Sequence, residues 1–112
     1  MNSNSISAFS FVVPVLNGEA YIRRCLEHIK SEMGHDDEVI VVDNGSIDNT
    51  LGIVREFAGV RILEHPGLTI SALRNRGASA ATNEILAFID SDCLVCPGWR
   101  ENALRVLSDP AT

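Results

Sequence analysis

Short apolar runs alternate four times with stretches of helical spacing, and this alternation limits the possible folds more than any other feature of the chain. FSFVVPV (9–15) is rich in β-branched residues and too short for a buried helix, so it predicts a buried strand. In GEAYIRRCLEHIKSEM (18–33) the apolar residues Ile22, Cys25, Leu26, Ile29 and Met33 recur at helical spacing, with Arg23, Arg24, Glu27 and Lys30 on the other faces. Gly34 is expected to stop this helix. EVIVVD (38–43) predicts a second strand, and LGIVREFAG (51–59) a short helix facing inward through Leu51, Val54 and either Phe57 or Ala58. VRIL (60–63) and EILAFID (84–90) predict two more strands. Between them TISALRNRGASAAT (69–82) predicts a helix whose Ala72, Ala78, Ala80 and Ala81 allow close approach to a sheet. PGWRENALRVL (97–107) predicts a last helix with Pro97 near its first turn. This order implies an α/β fold: a mostly parallel sheet sandwiched by helices, with right-handed crossovers. The 112 residues contain no linker or repeat and suit one domain or part of one.

Bulk properties exclude several classes of function. A composition 46% hydrophobic and 21% charged is that of a globular protein. The net charge of -6 argues against a nucleic-acid partner, which demands a basic stripe. An anionic ligand would therefore need a local device: an arginine, a helix N-terminus or a metal ion. No apolar run approaches the roughly 20 residues that span a bilayer. The start, MNSNSISAF, has no basic region followed by an apolar one, so no signal peptide is expected. Three cysteines cannot all pair within one chain, which suits a reducing, cytoplasmic compartment.

In parallel sheets ligands bind at the carboxyl ends of the strands. Three of the four predicted strands end in polar groups: PVLNGE, DNGSID and DSDC. An acidic pair such as Asp90 and Asp92, taken alone, reads as a solvated turn. Beside two other polar strand ends it reads as a site, because one intervening residue on an extended chain sends both carboxylates the same way, toward one hard cation. Asp43 is either an acceptor for a base edge or a turn acid. Asp48 reads as the N-cap of the helix that follows. Glu19 suits a first helical turn and also lies near the expected pocket. Arg74 and Arg76 diverge on a helix, so one of them can face a ligand, and Arg74 is preferred. Cys93 and Cys96 form a lone C-x-x-C. A zinc site wants four ligands, and Cys25, His28, His35 and His65 are not paired at finger spacing, so the two cysteines read as small packed hydrophobes. The histidines receive no role. Neither G-x-G-x-x-G nor G-K-[ST] is present.

VVPVLNGEAYIRRCLEHI, VVDNGSIDNT and LRNRGASAATNEILAFIDSDC followed by PGW resemble, in order and spacing, the N-terminal half of family 2 glycosyltransferases. The resemblance runs from about Phe11 to Leu107. It implies the GT-A fold, a Rossmann-like nucleotide-diphospho-sugar-binding architecture, and transfer of a sugar from a UDP- or GDP-sugar to a saccharide, lipid or protein acceptor. By position, it implies that Pro14, Val15 and the residues to Asn17 line a base pocket, with Glu19 near base or ribose. Asp43 would recognise the base, and Asn44 beside it belongs to the same nucleotide-sugar-binding set. Arg74 and Asn75 would approach the nucleotide. Asp90 would lie against ribose and metal, Ser91 beside them, and Asp92 would coordinate Mn2+ or Mg2+ at the diphosphate.

Three residues depart from the family pattern. Asn83 replaces a frequent glycine and is expected to adopt its left-handed backbone. Cys93 stands where many members have another acid, and Leu16 where many have an aromatic. Members also generally continue for a further hundred residues or more, which build the acceptor site and supply the catalytic base. Only Glu101 and Asp109 follow Asp92 as acids, and neither is expected to serve. The expectation is therefore a single partial domain, 1–112, that binds donor but does not transfer alone, with the base beyond residue 112. Its severed sheet edge is expected to be exposed and to favour a homo-oligomer. The competing reading is a non-catalytic nucleotide-sugar-binding or assembly module. A signalling receiver domain is disfavoured: it needs an acidic cluster after the first strand, an acid after the third and a late lysine, and Lys30 is the sole lysine.

Overall fold

The computed structural model describes residues 8–108, so most of the polar start and Asp109 lie outside the described residues. The element order is β1 (Phe9–Val15), α1 (Ile22–Glu32), β2 (Glu38–Asp43), α2 (Thr50–Val54), β3 (Val60–Glu64), α3 (Ile70–Ala80), β4 (Ile85–Phe88) and α4 (Trp99–Leu107). All pairings are parallel, in the order β3-β2-β1-β4. The expected α/β architecture is present.

The chain builds outward from β1 to β3, then returns to place β4 on the other side of β1. A right-handed connection that reverses direction must carry its helix to the opposite face. α3 lies there. It packs Leu73 on Val12, Ile40 and Val42, with Leu63, Leu68, Ala80 and Ala81 around them. α1, α2 and α4 cover the other face, over Phe11, Val13, Val39 and Val41. Trp99 docks α4 against Phe9 and Phe11, with ring centroids 5.5 Å apart in both pairs. No helix among the described residues is long and apolar enough to cross a membrane.

Pro14 shapes the site. β1 pairs with β2 out to Val15, but its pairing with β4 stops at Val12 opposite Phe88. The Val12 carbonyl accepts from Ile89 N (3.0 Å), so the even positions of β1 face β4. Pro14 is the next of them, and it has no N–H to continue the ladder. The two strands part at that residue, at the point where strand order reverses.

Several local expectations are corrected. α1 begins at Ile22, because Gly18 to Tyr21 form a turn closed by Tyr21 N and Ile22 N on the Gly18 carbonyl (3.0 and 2.8 Å). Glu19 is thus outside the helix. Gly34 does not cap α1, which ends in extended Met33; a Cβ on Gly34 would stand 2.5 Å from the Arg100 guanidinium, which would have to shift. α2 buries Ile53 with Val54, and Phe57 packs inward while Ala58 is exposed. The closest approach of α3 to the sheet is made by Gly77, not by the alanines. Asn83 is not left-handed: among the described residues Asn17 is the non-glycine with positive φ. Asn83 instead donates from Nδ2 to the Phe9 and Asp36 carbonyls, both at 3.0 Å.

Candidate functional site

The two ends of the sheet use polar residues differently. At the amino ends they satisfy one another. Glu38 accepts from Ser10 Oγ (2.6 Å), Thr82 N and Oγ1, and Arg61. Asp37 accepts from Phe9 N, Gly34 N and Arg100. Burial alone would push the Asp37 carboxyl up, but these bonds outweigh it and hold it below the usual range; the same opposition acts on Glu38. This network is structural.

At the carboxyl ends the polar residues surround a hollow of about 430 Å³. Its walls are Pro14, Val15 and Leu16 from the end of β1, Asn44 from β2, and Asp90, Ser91 and Asp92 after β4. Tyr21, Ile70 and Leu73 complete it. The loops of β2 and β4 therefore face one cleft across the tip of β1.

Asp90 and Asp92 converge for a different reason from the one expected. The strand ends at Phe88, and residues 90–93 form a tight turn closed by Cys93 N on the Asp90 carbonyl (2.9 Å). One carboxylate oxygen from each aspartate and the Cys93 sulfur lie within 4.8 Å of one another, all on exposed residues. Below them the buried Cys25 thiol donates to the Asp90 carbonyl (3.7 Å), and burial pushes that thiol up to about 12, so it stays protonated. Arg74 Nη2 donates to Asp90 Oδ1 (3.2 Å), while Arg74 Nε is buried without a partner. The Arg74 side chain is 39% exposed and that of Asp90 58%, so this ion pair is weakened by solvent. Arg76 is exposed.

Other expected site residues stitch the rim together. Asp43 is 1% exposed, and its carboxylate accepts from Gly45 N (3.0 Å), Ser46 N (2.9 Å) and Ser46 Oγ (2.5 Å). Asn17 donates its N–H to Ser46 Oγ and accepts from Ile47 N at Oδ1, both tying the β1 loop to the β2 loop. Glu19 accepts from Asn49 N (2.7 Å) and donates its N–H to Asp48. Asp48 caps Thr50 N and Oγ1, although the N-cap position is Asn49. Asn44 Oδ1 accepts from Leu68 N (2.9 Å), joining the β2 loop to the start of α3. Asn75 is exposed. Asn17, Glu19, Asp43, Arg74 and Asn75 are not among the residues lining the hollow.

Sequence reasoning missed Tyr21, Ile70 and Leu73. Ile70 and Leu73, three apart on one helical face, carried a usable signal; Tyr21, in an irregular turn, carried none. Cys93 and Cys96 are both exposed, contrary to the packed reading; Val95 between them is the buried residue. The donor set at the turn suits a divalent cation: two exposed carboxylates supply hard oxygen ligands, and Arg74 shares only one of them.

A parallel sheet with a polar crevice at its switch point is the architecture of a nucleotide-binding α/β protein. The family model of glycosyl transferase family 2 matches residues 10–112, and the chain belongs to that family. EpsH of Bacillus subtilis (strain 168) is 37% identical over 106 residues, covering 91% of this chain and 31% of that one. Among solved structures, the mannosyltransferase PcManGT from Pyrobaculum calidifontis, in complex with GDP-Man and Mn2+, matches with TM-score 0.83 at 28% identity. The match covers 91% of this chain and 32% of that one. S. aureus TarS 1-349 in complex with UDP-GlcNAc matches with TM-score 0.82 at 27% identity, over 89% of this chain and 31% of that one. The chain spans about a third of the length of these proteins. The GT-A fold is the one expected from the resemblance.

Proposed function

We propose that residues 1–112 form the donor-binding half of a family 2 glycosyltransferase, holding a nucleoside-diphosphate sugar in the hollow between the tips of β1 and β4. One observation carries this reading: Asp90 and Asp92 share the walls of a single hollow with Pro14, Val15, Leu16 and Asn44, at the switch point. Neighbours of the same fold were solved with GDP-Man and Mn2+ or with UDP-GlcNAc, which supports a UDP- or GDP-sugar donor. Family membership favours a transferase over a non-catalytic module.

Residue roles follow from position. Leu16, Tyr21, Ile70 and Leu73 give the base and ribose an apolar seat, and Pro14 keeps the crevice open. Asp43, Asn17 and Glu19 act by fixing the loops that form the rim, so that the seat is preorganised. Arg74, with Asn75 beside it, turns from Asp90 toward the diphosphate. Asp90, Ser91 and Asp92 form the polar wall, with Asp92 and Asp90 holding Mn2+ or Mg2+. Such an ion, when bound, acts as a Lewis acid that offsets charge on the departing nucleoside diphosphate. The base that deprotonates the acceptor belongs to the part of the family fold beyond residue 112; Glu101 is exposed on α4, away from the hollow.

The acceptor is a saccharide, lipid or protein hydroxyl, and the compartment a reducing, cytoplasmic one, as three unpaired cysteines suit. Without further strands, the outer edge of β4, where Leu86 and Phe88 are 37% and 46% exposed, would pair with that of a second copy. Calorimetry with UDP, UDP-sugars and GDP, each with and without Mn2+, tests the donor site. Metal-dependent binding that disappears in Asp92→Ala is expected. Absence of binding up to millimolar nucleotide would defeat the proposal.

A further inference from the structure

Cys25, His28 and Glu32 of α1 are spaced three and four apart, which puts them on one face of the helix. Each bonds to the backbone of the segment that follows β4. The Cys25 thiol donates to the Asp90 carbonyl (3.7 Å). His28 Nδ1 lies 3.2 Å from the Val95 carbonyl. A carbonyl only accepts, so that nitrogen carries the proton. Glu32 accepts from Gly98 N (3.0 Å) and Arg100 N (2.9 Å), and these bonds hold its carboxyl below the usual range. They also cap α4, whose own N-cap residue is Gly98, with no side chain to do so. The bonded partners are 65, 67, 66 and 68 residues apart in the chain. The segment therefore advances along α1 in step with it and in the same direction.

The segment depends on outside support. Residues 90–98 belong to no helix or strand, and Val95 is the buried one among them. The Asp90 carbonyl held by Cys25 is also the acceptor that closes the turn with Cys93 N (2.9 Å), so α1 grips the turn at the atom that defines it. We infer that Cys25, His28 and Glu32 are positioning residues of the donor site: they hold the segment after β4 against α1, so that Asp90, Ser91 and Asp92 wall the hollow. None of the three lines the hollow, and all act through backbone groups. A segment left loose must be ordered when ligand binds, and the entropy lost weakens binding. The inference rests on the donor-site reading, because the wall held in place is the wall of that site.

The test measures hydrogen exchange of residues 90–98 in the nucleotide-free, metal-free protein by mass spectrometry, and UDP affinity with Mn2+ by calorimetry. The proteins are wild type, His28→Ala, His28→Asn, Glu32→Ala and Asn83→Ala. His28 and Glu32 are half-buried, so their alanine variants should fold. Each should speed exchange of the segment about 2- to 10-fold, what a net hydrogen bond is worth. Each should weaken UDP binding about 10-fold, the lower end for losing a supporting partner of a metal site. His28→Asn, whose amide nitrogen can take the place of Nδ1, should restore both. Asn83→Ala loses bonds to the Phe9 and Asp36 carbonyls at the other end of the sheet, and should lower the thermal midpoint while leaving segment and affinity alone. Unchanged exchange in both alanine variants, no rescue by His28→Asn, or an equal loss of affinity in Asn83→Ala overturns the inference. Faster exchange with UDP affinity intact overturns it too. A segment loosened in the alanine variants of a protein whose wild type binds no nucleotide upholds the anchoring by α1 and sinks the donor reading instead.

Discussion

Gly77→Ala probes what sets the distance between α3 and the sheet. A Cβ at this position would stand 2.3 Å from Val12 Cγ1 and 3.1 Å from Val42 Cγ2. Carbon atoms settle at about 3.5–4.0 Å, so the helix must retreat by more than ~1 Å. Val12 cannot yield, because it is fully buried in a strand paired on both sides and its β-branched side chain has little rotamer freedom. Overpacking of this kind costs about 1–3 kcal/mol. Against it stands a gain of about 1 kcal/mol from replacing glycine by alanine inside a helix. The steric cost should win by about 1 kcal/mol, which in a domain of this size lowers the thermal midpoint by about 4–8 °C. Circular dichroism melting measures it, with Ser79→Ala on the exposed face of the same helix as the control that should not fall. Function should follow, since Arg74 lies one turn earlier and a retreating helix draws it away from Asp90; nucleotide affinity should drop even where the protein stays folded. A midpoint for Gly77→Ala equal to or above wild type would refute the reasoning, for helix propensity would then outweigh contact with the sheet.

Two further outcomes are expected. Asp43→Ala should lower the melting midpoint of the nucleotide-free protein, because Gly45 N, Ser46 N and Ser46 Oγ lose their acceptor, at a cost of about 1–3 kcal/mol; an unchanged midpoint with weakened nucleotide binding would mean that the carboxylate serves the ligand and not the loop. Asp37 and Glu38 have folded pKa values below their unfolded values of 3.8 and 4.5, so the unfolded chain binds more protons in that window. Their stabilisation is complete above about pH 4.5 and fades as pH falls through the depressed folded values; urea titrations across pH 5 to 2 should show that decline, and Asp37→Asn should make it shallower.

The sequence was most legible where one physical effect dominated. β1 and β2 coincide with their predicted bounds because continuous β-branched runs buried on both faces have no competing reading. Helix starts were less legible: GEAY carries no cap signal strong enough to reveal the turn that delays α1 to Ile22. The rim could be found, because polar residues at the ends of parallel strands have a known place. Which of them face the hollow could not. Asn, Asp and Ser serve loop stitching and ligand contact equally well, so Asp43, bonded into its own loop, and Asp92, open to the hollow, look alike in sequence. The convergence of Asp90 and Asp92 was expected for the wrong reason, pleating instead of a turn, and for that reason the sulfur of Cys93 was not foreseen beside them.

The strand order also bears on how the molecule assembles. β1 to β3 pair with neighbours in the sequence and can zip up as they emerge, but the β1–β4 ladder joins segments far apart in the chain, Phe9 with Ile85. Such closure is slow, because the entropy of a long loop is lost before any contact repays it. The hollow at the switch point therefore closes only when β4 forms, and a nascent chain stalled before Ile85 would carry a sheet whose hollow lacks the wall of Asp90, Ser91 and Asp92.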